Sequence, residues 1–399
     1  MKRKTRSFKA NIRKLYVVKF LYNMYFISAV LVPFFTQWGR IKFSQILFLN
    51  AWFMFWNFLL EIPTGTVADF FGRKVSMVLG CIVGAVGALF YASYPNFVIF
   101  LTGEVIFSIS FTLLSGADEA LLYDTLKELN QSQQSKQAFS RMESFKLAGI
   151  VVGAVAGSVI AKTLGLRMPM VLHAVPLTIG ALLSLSLKEP RVHEKKPAMS
   201  FRSYKKILSE GVKFFWRNKI LKILTLDMVI VFAFAWIIIW FYQALLMNAG
   251  IDIAYFGIVH ALMSLSQILI INNFIRIEKW LGSKKRLLFI SAFLTGISFI
   301  LLGITRYAPL VIGAVLLSGG FGLSRGPLFS SYMNKFIPSD KRATILSTTS
   351  MLRTFAIVVA NSLSGLLADW SIPYTLLILG TGIIVFSFLS KIKEEHLID

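Results

Sequence analysis

The sequence predicts an all-α integral membrane protein of twelve transmembrane helices in two pseudo-symmetric six-helix bundles. Three observations carry that prediction. Hydrophobic residues make up 56% and charged residues only 15% of the 399 positions, far from the roughly 45–50% and 25% of soluble domains. Twelve apolar runs reach the about 20 residues that a bilayer-spanning helix needs. The longest polar stretch, Lys188 to Lys219, falls between the sixth and seventh runs, so residues 1–187 form one bundle, 188–219 a linker and 220–399 a second bundle. The runs lie at Lys14 to Phe35, Ser44 to Thr66, Val75 to Tyr94, Phe97 to Thr125, Glu143 to Lys162 and Pro169 to Leu187 in the first half. In the second they lie at Ile220 to Met247, Ile253 to Phe274, Arg286 to Thr305, Ala308 to Lys335, Ala343 to Ala368 and Pro373 to Ser390.

The net charge of +23 would suggest nucleic acid in a soluble protein. Here the basic residues cluster between apolar runs, as membrane topology requires, and no nucleic-acid partner is expected. About 33 of the 42 Lys and Arg lie on the side of the N-terminus. Arg40, Lys42, Lys162, Arg167 and Arg306 lie opposite, and Lys19, Lys146, Arg325 and Arg353 fall inside spans. Positive charge is retained in the cytoplasm, so both termini are expected there, in a multi-pass protein of the cell membrane. The single Cys81 forms no intrachain disulfide.

The basic opening MKRKTRSFKANIRK precedes an apolar segment, as in a signal peptide. That segment is long enough to span, carries Lys19 and Asn23, and has no small-x-small cleavage site after it, so it reads as span one. Lys19, Tyr22 and Asn23 share one face of it.

After span two comes Glu61-Ile-Pro-Thr, then Gly65-Thr-Val-Ala-Asp69-Phe-Phe-Gly72-Arg73-Lys74. This loop resembles the signature G-x-x-x-D-R-x-G-R-K of the major facilitator superfamily, and with the twelve spans and the midpoint linker the resemblance covers the whole chain. It implies a secondary transporter in which Asp69 braces the two halves in one state. The family's usual arginine after the aspartate is replaced by Phe70. Turn formation by the glycines and topological anchoring by Arg73 and Lys74 explain the loop equally well. A degenerate copy, Arg276-Ile-Glu278-Lys-Trp-Leu-Gly282-Ser-Lys284-Lys285, follows span eight.

Span four carries Glu104, Ser108, Phe111, Ser115 and Asp118 at helical spacing, one polar face that lines a cavity or glues helices together. Many drug and proton antiporters of the family have an arginine in the outer part of this span; this chain has Glu104, which can carry a proton itself. Asp124 is expected at the interface. Span five holds Gly149, Gly153 and Gly157, similar to the family's antiporter signature except that Ala154 replaces its proline, and equally suited to close helix packing.

In the second half buried charges are expected at Asp227 in span seven, Arg325 in span ten and Arg353 in span eleven. Lys146 lines up with Arg353, and Asp118 with Arg325, at an offset of 207 residues, about half the chain, as a duplicated unit demands. After span ten, Tyr332-Met-Asn334-Lys-Phe-Ile-Pro338-Ser-Asp-Lys341-Arg342 is similar to the corresponding loop of bacterial and archaeal carriers. Aromatic residues Phe111, Phe234, Trp236, Trp240 and Phe241 would suit an amphipathic solute.

Only four histidines occur and there is no HExxH, GxSxG or P-loop string, so neither an enzyme nor an ATP-driven pump is expected. The resemblance implies proton-coupled efflux of drug-like compounds by alternating access, or alternatively a proton- or ion-coupled symporter for a metabolite. The expected partners are a small-molecule solute, protons and the lipid bilayer. A monomer without cofactor or metal is expected.

Overall fold

The computed structural model describes residues 2–190, 209–210, 212–337 and 342–397. Most of the linker, with Arg202, lies outside the described residues, as do Pro338 and Lys341. The described residues are helical almost throughout and contain no strand. Eleven helical stretches, the first starting at Phe43, are long and apolar enough to cross a membrane.

The span missing from those eleven is the first, and its sequence explains why. Its helix runs Lys2–Tyr22 and stops, where the Asn23 amide donates back to the Lys19 carbonyl at 2.8 Å. Asparagine competes with the helical hydrogen-bond ladder in this way. Irregular backbone follows to Val30, then a short helix Leu31–Pro33 and a π-helical turn Phe34–Trp38. The continuous span expected over Lys14 to Phe35 is thus a broken one.

Unwound backbone inside a membrane must be covered by protein, and span five, Ser135–Leu164, covers it. A Cβ at Gly149 would lie 2.3 Å from the Phe20 carbonyl oxygen, at Gly153 2.6 Å from the Tyr25 nitrogen, and at Gly157 1.7 Å from the Phe26 carbonyl oxygen. Only glycine admits that approach. The glycine stripe is therefore a packing surface for the broken part of span one.

The chain forms two compact units. The first comprises Met1–Ile41, Trp52–Met199 and Ile253–Ile258, with a core cluster that includes Leu15, Met77, Cys81, Leu121, Met142 and Leu187. The second comprises Lys42–Ala51, Ser200–Asp252 and Val259–Asp399, with a core that includes Leu224, Met228, Leu288, Phe329, Ile392 and Leu397. Each thus takes in one short piece from the opposite half of the sequence. Ser158 donates to the Ala254 carbonyl at 3.1 Å in the first unit, and Asn361 donates to Asn50 at 2.8 Å in the second.

Spans four and ten both break at corresponding places. Span four is two helices, Phe97–Leu114 and Ala117–Glu128, separated where Gly116 takes a left-handed φ of 75°. Span ten runs Ala308–Leu317, widens into a π-helical turn Ser318–Gly322, and resumes as Leu323–Met333. The continuous helix expected from Glu104 to Asp118 is interrupted: Glu104, Ser108 and Phe111 lie on the first piece, Ser115 at the break and Asp118 on the second.

The stretch read as a signature loop is mostly helix. Span two continues from Phe43 to Phe71, through Glu61, Gly65 and Asp69, and span three starts at Arg73. The joint between them is Gly72 alone, with φ 96°, a conformation that glycine adopts without strain.

Candidate functional site

Each unit holds an ion pair between its first span and the interruption in its fourth. In the first unit the Lys19 ammonium lies 2.5 Å from Asp118, the side chains being 16% and 6% exposed. The break places Asp118 in the first turn of the new helix, where the partial positive charge of the N-terminus favours a carboxylate. Its other oxygen accepts the Glu119 amide at 2.7 Å. Tyr22 stands beside the pair, its hydroxyl 3.3 Å from that of Ser110.

In the second unit the polarity is reversed. Asp227, from the seventh span, accepts from Arg325 of the tenth at 2.5 Å and from the Ser390 hydroxyl at 2.5 Å. Arg325 also donates to the Leu288 carbonyl and to Ser291, both at 2.5 Å. The two side chains are only 2% and 6% exposed, so this pair is sealed, whereas Lys19 keeps partial access to solvent. Pairing of this kind is what makes charges tolerable within a span.

The other residues singled out in the sequence scatter. Glu104 accepts from the Tyr91 hydroxyl at 2.9 Å, in an aromatic group that includes Phe34, Phe35 and Phe100, and shares no partner with Asp118. Ser108 donates to the Phe53 carbonyl at 3.1 Å. Phe111 and Ser115 are exposed. Lys146 is not a buried charge: it pairs with Glu143 at 2.8 Å and is 36% exposed. Arg353 is half-buried, with its guanidinium 5.4 Å from the centre of the Phe232 ring, and no acid partners it among the described residues. Trp240 and Phe241 are buried in the core of the second unit.

Around the signature, Asp69 and Glu61 are exposed. Arg73 donates to the Ala120 carbonyl at 2.6 Å and pairs with Asp124, which is buried and not merely interfacial. Glu189 then caps span three, accepting the amides of Arg73 at 2.9 Å and Lys74 at 3.0 Å. The second half repeats the device: Glu394 caps span nine, accepting the Ser283 hydroxyl at 2.6 Å and the amides of Lys284 and Lys285 at 2.8 and 3.0 Å. Sequence reasoning placed Asp124 at the interface without its pairing to Arg73, and missed Glu189 and Glu394. The signal was present, since each glutamate follows the last span of its half by a few residues.

A family model described as the Major Facilitator Superfamily matches residues 18–361. An uncharacterized MFS-type transporter of Bacillus subtilis (strain 168), YxaM, is 20% identical over 362 residues, which cover 89% of this chain and 90% of that one. A glucose/galactose transporter of Brucella abortus biovar 1 (strain 9-941) is 27% identical over 188 residues, 44% of this chain and 45% of that protein's length. Among solved structures, the nucleoside transporter NupG superposes with a TM-score of 0.81 at 16% identity, covering 96% of this chain and 99% of that one. A peptide transporter, POT, in complex with sulfate gives 0.69 at 15% identity, covering 95% and 93%.

Proposed function

The chain belongs to the Major Facilitator Superfamily, and we propose that within this family of transporters it is a proton-coupled carrier of a small polar metabolite, working by alternating access. The observation that carries this reading is the Lys19–Asp118 pair at the joint of two broken spans. A proton taken up by Asp118 removes the charge that holds Lys19, and the ammonium must then find another acceptor. Because the helices on both sides of the pair are already interrupted, that exchange can be answered by movement of short segments instead of whole spans. Each pH unit of gradient supplies about 1.4 kcal/mol per proton, enough to concentrate an uncharged solute about tenfold. Arg353, over Phe232 and without an acid partner among the described residues, offers the solute a charged donor.

The metabolite reading is favoured over drug efflux on two grounds. The relatives and structural neighbours are named as sugar, nucleoside and peptide transporters. The glycine stripe that resembles an antiporter signature is accounted for by contact with span one. The charge distribution supports termini on the cytoplasmic face of a cell membrane.

Uptake of labelled nucleosides, hexoses and amphipathic cations into vesicles, with and without a proton gradient, tests the proposal. Gradient-driven accumulation of a polar metabolite is expected, lost in Asp118→Asn while downhill exchange survives. Transport of amphipathic cations alone, or undiminished accumulation by Asp118→Asn, overturns it.

A further inference from the structure

An ionised side chain within a membrane span needs a counter-charge or a wet, functional setting. Of the basic residues singled out within spans, Lys19, Lys146 and Arg325 each meet an acid, respectively Asp118, Glu143 and Asp227. Arg353, in the helix Arg342–Trp370, meets none among the described residues. Its one hydrogen bond there is a long contact of 3.5 Å from Nη2 to the Ser350 hydroxyl. It is half-buried, and its unpaired nitrogens keep accessible surface, unlike the enclosed Nε of Arg325.

Nor does Arg353 reach back to the membrane surface, as an arginine near a helix end does. Its guanidinium lies 5.4 Å from the centre of the Phe232 ring, and Phe232 is near the midpoint of the span Lys219–Asn248. Gly326 of span ten is beside it too: a Cβ there would stand 3.9 Å from Nη1 and 3.3 Å from the Phe232 ring. Trp236, one helical turn further along span seven and 5.9 Å from Phe232 ring to ring, continues the aromatic face. A guanidinium over such a face is steadied by it and keeps its N–H edges free for a planar, bidentate acceptor.

We propose that the solute is a monocarboxylate whose carboxylate binds the free edge of Arg353, an inference that rests on the carrier role proposed above. One guanidinium balances one negative charge. A phosphate monoester, with nearly two charges at neutral pH, would leave one unmatched. Moving with the single coupled proton, a monocarboxylate crosses without net charge.

Thermal unfolding of the full-length protein in neutral detergent tests this with two matched pairs, gluconate with glucose and nicotinate with nicotinamide, and with glycerol phosphate as the more highly charged probe. At least one acid should raise the wild-type midpoint in a concentration-dependent way, its neutral counterpart being without effect. Arg353→Gln should weaken the apparent affinity for that acid about tenfold, as for a lost charge-assisted hydrogen bond. Arg353→Lys, which keeps the charge but not the planar fork, should fall between the two. If Arg353→Gln yields no folded protein, Arg353→Lys decides alone, and wild-type affinity in it overturns the assignment. So do equal shifts by an acid and its neutral partner, no shift by either acid, a larger shift by glycerol phosphate, or unchanged affinity in Arg353→Gln. Binding in detergent requires no gradient, so these outcomes stand apart from the vesicle test of proton coupling.

Discussion

Asp118 and Arg325, 207 residues apart in the sequence, carry opposite charge, and their partners Lys19 and Asp227 are reversed to match. The difference in burial separates their expected behaviour. Removing the acid from the sealed pair leaves Arg325 charged and buried, which costs about 3–5 kcal/mol, whereas Lys19 can turn toward water. Asp227→Asn should therefore lower the unfolding temperature of the purified protein well below that of Asp118→Asn; equal losses would show that the two pairs are equally enclosed. The identities of these charged residues were legible in the sequence, and so was the offset that relates them. Their partners were not, because pairing depends on which turn of each helix faces its neighbour, and every helix involved except the seventh is interrupted near the charge. Glu104 shows the same limit: its spacing to Asp118 was correctly counted, but spacing fixes a shared face only on an unbroken helix.

At the scale of single elements, helix ends and helix contacts decide the geometry. Glu394 sits at the start of span nine, where burial would raise its pKa, but the bonds from Ser283, Lys285 and Lys284 and the charge of Lys284 outweigh that and hold it below the usual carboxylate value. A carboxyl depressed on folding contributes stability above its unfolded pKa and loses it as pH falls through its folded pKa. Glu394→Gln should thus cost stability near neutral pH, at the low end of the about 0.5–2 kcal/mol of a lost cap. The difference from wild type should close on acidification below the ordinary carboxylate range, and a gap that persists in acid would remove the cap from consideration. Span five gives a sharper contrast. Gly157→Ala drives a methyl into the Phe26 carbonyl, while Gly313→Ala meets nothing within 4 Å; the first should abolish folded protein in detergent and the second should be silent. Small residues at helical spacing announced a close contact in the sequence, but not that the contact would be with unwound backbone.

For the whole molecule, the membrane class, the family and most span positions were legible because hydropathy and charge placement report them directly. The exceptions were the broken first span and the helical signature, which depend on a single asparagine and a single glycine. The proposed orientation predicts that, in a Cys81→Ser background, a cysteine at Asn130 is labelled only from the cytoplasm and one at Arg306 only from outside; the reverse pattern would invert the topology. The broken first span also bears on how the protein is made. A ribosome releases Lys9, Arg13, Lys14 and Lys19 before any of the later spans, in a segment too polar and too interrupted to partition into lipid unaided, and the acid that completes it is translated 99 residues after Lys19, the glycines later still. Order of synthesis and order of insertion therefore differ. Nascent chains arrested before Asp118 should leave the Lys19 region accessible at the translocon, and chains extended beyond Gly157 should bury it.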